Sequence, residues 1–176
     1  ISGGFIGQGI PGERTNAPTV LTRASDKFIR ILYGSATTVT LERVSMAGGY
    51  VIENGGDGGG LYFTTNSTLT LTNCVVQDNL LYVENVGDGA GLYMNGGTLR
   101  ILDSLFATNQ NIKYSWNTFT HGGAVAAINA TVTVADSIFQ GNNTSTRHND
   151  GHGGAIYLNG GEAAVTGSSF VGNVAH

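Results

Sequence analysis

Two aspartates and two histidines recur in this chain at one phase: Asp57, Asp88, His121 and His152, separated by 31, 33 and 31 residues. Carboxylates and imidazoles exchange protons near neutral pH and ligate divalent ions. Each of the four stands directly before a glycine block: GGGLY (58–62), GAGLY (89–93), GGAVA (122–126) and GGAIY (153–157). If the blocks stack as coils of a solenoid, neighbouring members of the column lie about 5 Å apart at the backbone. That is near enough for a shared metal ion or a proton-exchange pair. The simpler role for Asp and His at a loop end is to bond local backbone N–H groups. That simpler role accounts for all four residues, so no catalytic residue, metal or cofactor is expected.

A second set of candidates is aromatic. Tyr82, Tyr114, Trp116 and Phe119 fall in the segments of variable sequence between repeats, as does Tyr50. Aromatic side chains outside the strand pattern suit contacts with carbohydrate or protein, or fold back as a satellite cluster. Together with the Asp/His column they form the candidate ligand face. The lone Cys74 has no partner for an internal disulfide and reads as a packed core group. Asn66 and Asn129 stand in N-x-S/T triplets and are the candidate glycosylation sites if the chain passes through a eukaryotic secretory pathway.

The elements that position these residues follow from composition and period. Of 176 residues, 28 are Gly and 2 are Pro, 40% are hydrophobic, and the net charge is -4. The apolar content opposes disorder, and no run approaches the ~18 apolar residues of a membrane span. The lack of a basic cluster gives no reason to expect nucleic acid as a partner. Leu61, Leu92, Val125 and Ile156 repeat at 31, 33 and 31, and a second marker ends at Asn79, Asn109, Asn142 and Asn173. Between the markers, TLTLTNC, TLRILDS, TVTVADS and EAAVTGS alternate with period two, the signature of strands with one buried face.

Each copy therefore reads as three short strands and turns, one coil of a parallel β-helix. Same-phase residues stack. Met46, Val76, Phe106, Phe139 and Phe170 are expected to form an inner column, and Val44, Cys74, Ser104, Ser137 and Ser168 a column of small residues. The Asn markers are expected to form an amide ladder in left-handed turn positions. A degenerate earlier copy aligns Ile31 with Leu61. Outward Thr38, Thr68, Thr98 and Thr131, beside Thr40, Thr70 and Thr133, make a threonine array that Arg100 interrupts.

The paired signatures, clearest in GGAV with FQGN (122–125, 139–142) and GGAI with FVGN (153–156, 170–173), closely resemble the repeat of the chlamydial polymorphic outer membrane proteins and related bacterial surface β-helix proteins. The resemblance covers about residues 58–173. It implies a right-handed β-helix in a secreted or surface-anchored protein, commonly an autotransporter passenger or adhesin, and it carries over no catalytic residues.

The expectation is thus an all-β, right-handed, single-stranded parallel β-helix of five to six coils of about 31 residues. It forms one domain over residues 1–176, with degenerate coils at 1–49 and regular ones at 50–176. The chain opens without Met and shows no end cap, so it is expected to belong to a longer repeat array or to stack end to end as a filament. The expected function is an extracellular or cell-surface structural or adhesive module that binds protein or glycan through stacked loops. The alternative is a carbohydrate-active enzyme using the Asp57 to His152 column, which the GHG tripeptide at 151–153, also found in polygalacturonases, recommends. Their clustered aspartates and RIK motif are missing. Ice binding by the threonine array is a third reading.

Overall fold

The computed structural model describes residues 19–52, 56–84, 87–114, 119–145 and 151–176. All regular structure among them is β, and every strand pair is parallel. Four stacks of strands run along the molecule. The longest elements are the eleven-residue strands Leu92–Leu102, Val125–Ala135 and Ile156–Thr166. In the earlier coils this strand is split, as Leu61–Thr64 with Thr68–Thr72 and Leu32–Ser35 with Thr38–Glu42. A second sheet stacks Thr19–Thr22, Val44–Ala47, Val75–Gln77, Leu105–Ala107, Ile138–Gln140 and Ser169–Val171. A third stacks Tyr50–Val51, Leu80–Val83, Gln110–Lys113, Asn143–Ser145 and Val174–Ala175. The fourth holds only Gly87–Asp88, Thr120–His121 and Gly151–His152.

The chain is a parallel β-solenoid. The described residues wind about four full turns, and the second sheet reaches six levels. The later coils have one more element than the three expected, because a two-residue bridge precedes the glycine blocks at 89, 122 and 153. The stacked inner columns form as expected. Leu61, Leu92, Val125 and Ile156 are in register, and Met46, Val76, Phe106, Phe139 and Phe170 lie one above another. Phe106 and Phe139 stack with centroids 5.0 Å apart, and Phe139 and Phe170 at 4.9 Å. Phe106 and Phe139 are fully buried, while Phe170 is 45% exposed.

Two ladders clip the coils together inside the turns. Asn79 Nδ2 donates to Asn109 Oδ1 (2.9 Å), Asn109 Nδ2 to Asn142 Oδ1 (2.9 Å) and Asn142 Nδ2 to Asn173 Oδ1 (2.8 Å). The small-residue column is a hydroxyl ladder: the Cys74, Ser104 and Ser137 N–H groups donate to Ser104, Ser137 and Ser168 Oγ at 3.0–3.1 Å. Burial raises the Cys74 thiol pKa above its usual range, which keeps the group a thiol rather than a nucleophile.

Two details differ from the sequence reading. The left-handed residue at the Asn turn is the one before the ladder, namely Asp78, Thr108, Gly141 or Gly172, so the asparagines themselves are free to point inward. In the first coil, Leu32 rather than Ile31 opposes Leu61. That coil has two residues, Ala36 and Thr37, where the next has three between the paired strands, so the count slips by one.

Candidate functional site

The Asp/His column exists as a structural unit. Asp88, His121 and His152 occupy the second position of successive bridge strands and are in register. Asp57 continues the line, since the Gly58 N–H donates to the Asp88 carbonyl (2.9 Å) as Gly89 does to His121 (2.8 Å) and Gly122 to His152 (2.9 Å). The glycine that follows each member has φ between +64° and +69°. A Cβ there would also run into the carbonyl oxygen three residues on, so the block must begin with Gly for the chain to turn into the long sheet.

The side chains of the column bond along it. Asp57 Oδ1 accepts the Asp88 N–H (2.9 Å), and Asp88 Oδ1 accepts the His121 N–H (3.2 Å). His121 Nδ1 lies 2.7 Å from the same Asp88 oxygen, with both side chains largely shielded at 17% and 13% exposure. A carboxylate is an acceptor, so Nδ1 is the donor in this pair, the arrangement that turns Nε2 away from Asp88. Burial, the largest cause, pushes the Asp57 carboxyl up from 3.8 to about 6; the Asp88 N–H offsets part of this, the Asp88 charge adds to it, and Arg30 lowers it. Arg30 Nε donates to the Asp57 carbonyl (2.7 Å), and its guanidinium lies 4.9 Å from the centre of the Tyr62 ring.

Outward tyrosines beside this column are residues that the sequence reading passed over. Tyr33, Tyr62 and Tyr93 stack at 5.4 and 5.3 Å. Ala126 takes the next place, and His121 lies against Tyr157, the following member, at 4.1 Å. The signal was present, because the tyrosine closes three of the four glycine blocks, GGGLY, GAGLY and GGAIY. Burial and the Asp57 charge raise the Tyr62 phenol, and the same causes with the Asp88 charge push Tyr93 up to about 12, so both stay protonated at neutral pH.

The aromatic candidates separate into two groups. Tyr82 and Tyr114 stack on each other at 4.9 Å. Phe119, 50% exposed, stacks on His152 at 5.2 Å and stands 6.5 Å from His121. Trp116 lies outside the described residues. Tyr50 and Tyr82 were expected in loops and are instead strand residues of the third sheet. The small core beneath them consists of Val51, Leu81, Val83 and Ala90, while Tyr82 is 38% exposed. Asn66 and Asn129 are exposed and left-handed, φ +55° and +50°; Asn66 lies between two paired strands, whereas Asn129, expected in a turn, lies within the continuous strand Val125–Ala135.

Among the described residues no group of three or more His, Cys, Asp or Glu side chains gathers closely enough to hold a metal by itself. No helix among them is long and apolar enough to cross a membrane. The threonine array is in register across the split and continuous strands, with Arg100 between Thr70 and Thr133. Comparison with protein families, curated proteins and solved structures gives no match to this chain. The class is therefore defined by the fold alone: a parallel β-solenoid with an asparagine ladder and an Asp/His/aromatic face.

Proposed function

We propose that this chain is a non-enzymatic structural and adhesive β-solenoid module of a secreted or surface protein, which contacts protein or glycan through the face carrying Tyr82, Tyr114, Phe119 and His152. The surface or secreted setting is supported by the repeat resemblance. The observation that carries the binding role is the pairing of solvent-accessible aromatic rings from neighbouring coils, Tyr82 with Tyr114 and Phe119 with His152. Exposed aromatics on a rigid frame offer contact area with little entropy left to lose. The non-enzymatic role is supported by the bonds within the column: one oxygen of Asp57 and one of Asp88 already accept backbone N–H groups of the next coil.

Retention on immobilised neutral and acidic polysaccharides, compared between the wild-type chain and Tyr82→Ala and Phe119→Ala, tests the glycan arm. Retention lost in either variant supports the reading. The same panel, incubated with and without calcium and assayed for new reducing ends or unsaturated products, tests the enzymatic alternative. Turnover that disappears in His121→Ala or His152→Ala would replace the adhesive reading with a carbohydrate-active one.

A further inference from the structure

His121 and His152 sit at the same register position on adjacent coils, with ring centroids 5.4 Å apart and planes tilted by 40°. Two imidazoles that each bind one tetrahedral ion through a single nitrogen, at a metal–nitrogen distance of about 2.0–2.1 Å, have centroids about 5 Å apart. The coil-to-coil rise thus already supplies the separation that a shared ion requires. Asp88 supplies the second element. Its oxygen, 2.7 Å from His121 Nδ1, fixes the proton there and leaves Nε2 as the ligating atom. A carboxylate behind an imidazole in this way orients the ring and raises its basicity toward a metal.

The flanks restrict both rings: Tyr157 lies against His121 at 4.1 Å and Phe119 against His152 at 5.2 Å. His152 is exposed, so an ion reaches the pair from solvent. We propose that His121 and His152 form a two-imidazole site for a divalent transition-metal ion such as Zn²⁺ or Ni²⁺, with Asp88 as the positioning residue behind His121. Water completes the coordination, since no third side chain joins the pair among the described residues. Two nitrogen donors favour zinc or nickel over calcium and magnesium, which require several oxygen ligands.

The test is calorimetric titration of Zn²⁺, and separately Ca²⁺, into the full chain after chelator treatment. It is run on the wild type and on His152→Ala, His121→Ala and Asp88→Asn, with circular dichroism to confirm the fold. One Zn²⁺ per chain is expected, weakened about tenfold or more by either histidine change and about tenfold by Asp88→Asn, with no comparable response to Ca²⁺. Because His152 is exposed, His152→Ala leaves the fold intact and decides the matter even if His121→Ala fails to fold. Histidine nitrogen NMR of the wild type should show the His121 Nε2 signal shifting on Zn²⁺ addition. Absence of Zn²⁺ binding, or equal affinity in His152→Ala, overturns the proposal.

Discussion

Asp57→Asn should make the protein more stable at pH 7.5 and leave it nearly unchanged at pH 4. The Asp57 carboxyl is raised from 3.8 to about 6, so its protonated form is the one the folded state favours. The stabilisation from that proton is complete below pH 3.8, falls away as the pH rises, and is gone above about 6. At pH 7.5 the wild-type chain therefore carries an ionised, largely buried carboxylate that the unfolded chain would hydrate freely. The difference between 3.8 and about 6 corresponds to about 3 kcal/mol. Asparagine has the same shape, and its own Oδ1 can accept the Asp88 N–H that Asp57 Oδ1 accepts now at 2.9 Å. That difference already contains the attraction to Arg30, so a gain of about 2–3 kcal/mol at pH 7.5 is expected, the lower end reflecting solvent screening of a partly exposed group. Urea unfolding of both proteins at pH 4 and 7.5 gives the four stabilities required, and their double difference removes every other titrating group. A gain of equal size at both pH values, or a loss at pH 7.5, would refute the burial argument.

Asn109→Ala removes the middle rung of the amide ladder, taking one acceptor from the Asn79 amide, which keeps its bond to the Met46 carbonyl, and one donor from the Val76 carbonyl. Unfolding by urea should show a loss of about 2–4 kcal/mol. Gly97→Ala places a Cβ at φ +85° against the backbone carbonyl of Ser67, whereas Gly172→Ala at φ +61° meets nothing within 4 Å. Thermal unfolding should show the first costing more than about 2 kcal/mol and the second about 1 kcal/mol, the difference being the clash alone.

Much of this fold was legible because parallel, in-register stacking converts a sequence interval into a contact. Intervals of 31, 33 and 31 placed Leu61, Leu92, Val125 and Ile156, and separately Asn79, Asn109, Asn142 and Asn173, in columns that the pairing reproduces. The correspondence between interval and contact breaks where the repeat changes length, as at Ala36 and Thr37, because the two sides then differ in count. It fails also for the third sheet. The segments YV, LLYV, QNIK and NTS share no pattern, since their pairing is made by backbone and their inward position is Val51, Leu81, Asn111 or Thr144 in turn. The Asp/His column was visible as spacing. The Asp88–His121 hydrogen bond was not, because an interval gives the distance between coils but not the χ angles that bring Nδ1 to the carboxylate.

The mixed inward position of the third sheet bears on the site itself. In the coil that introduces the first histidine, the place held below by Leu81 is taken by Asn111, which is fully buried. A buried amide costs free energy unless it is bonded. The nitrogen half of the Asn111 amide is bonded to two strands of the fourth sheet, since Nδ2 donates to the Gly87 carbonyl at 2.8 Å and to the His121 carbonyl at 3.1 Å, while Oδ1 has no partner among the described residues. His121 is consequently held from both sides, its ring by Asp88 on the outer face and its backbone by Asn111 from within. Leucine at this position would fill the small core as Leu81 does and would leave the His121 carbonyl with the Gly89 N–H but without the Asn111 bond. The switch from an apolar to a polar inner residue thus coincides with the switch from aspartate to histidine in the column. The third and fourth sheets are coupled at the coil where the imidazoles begin.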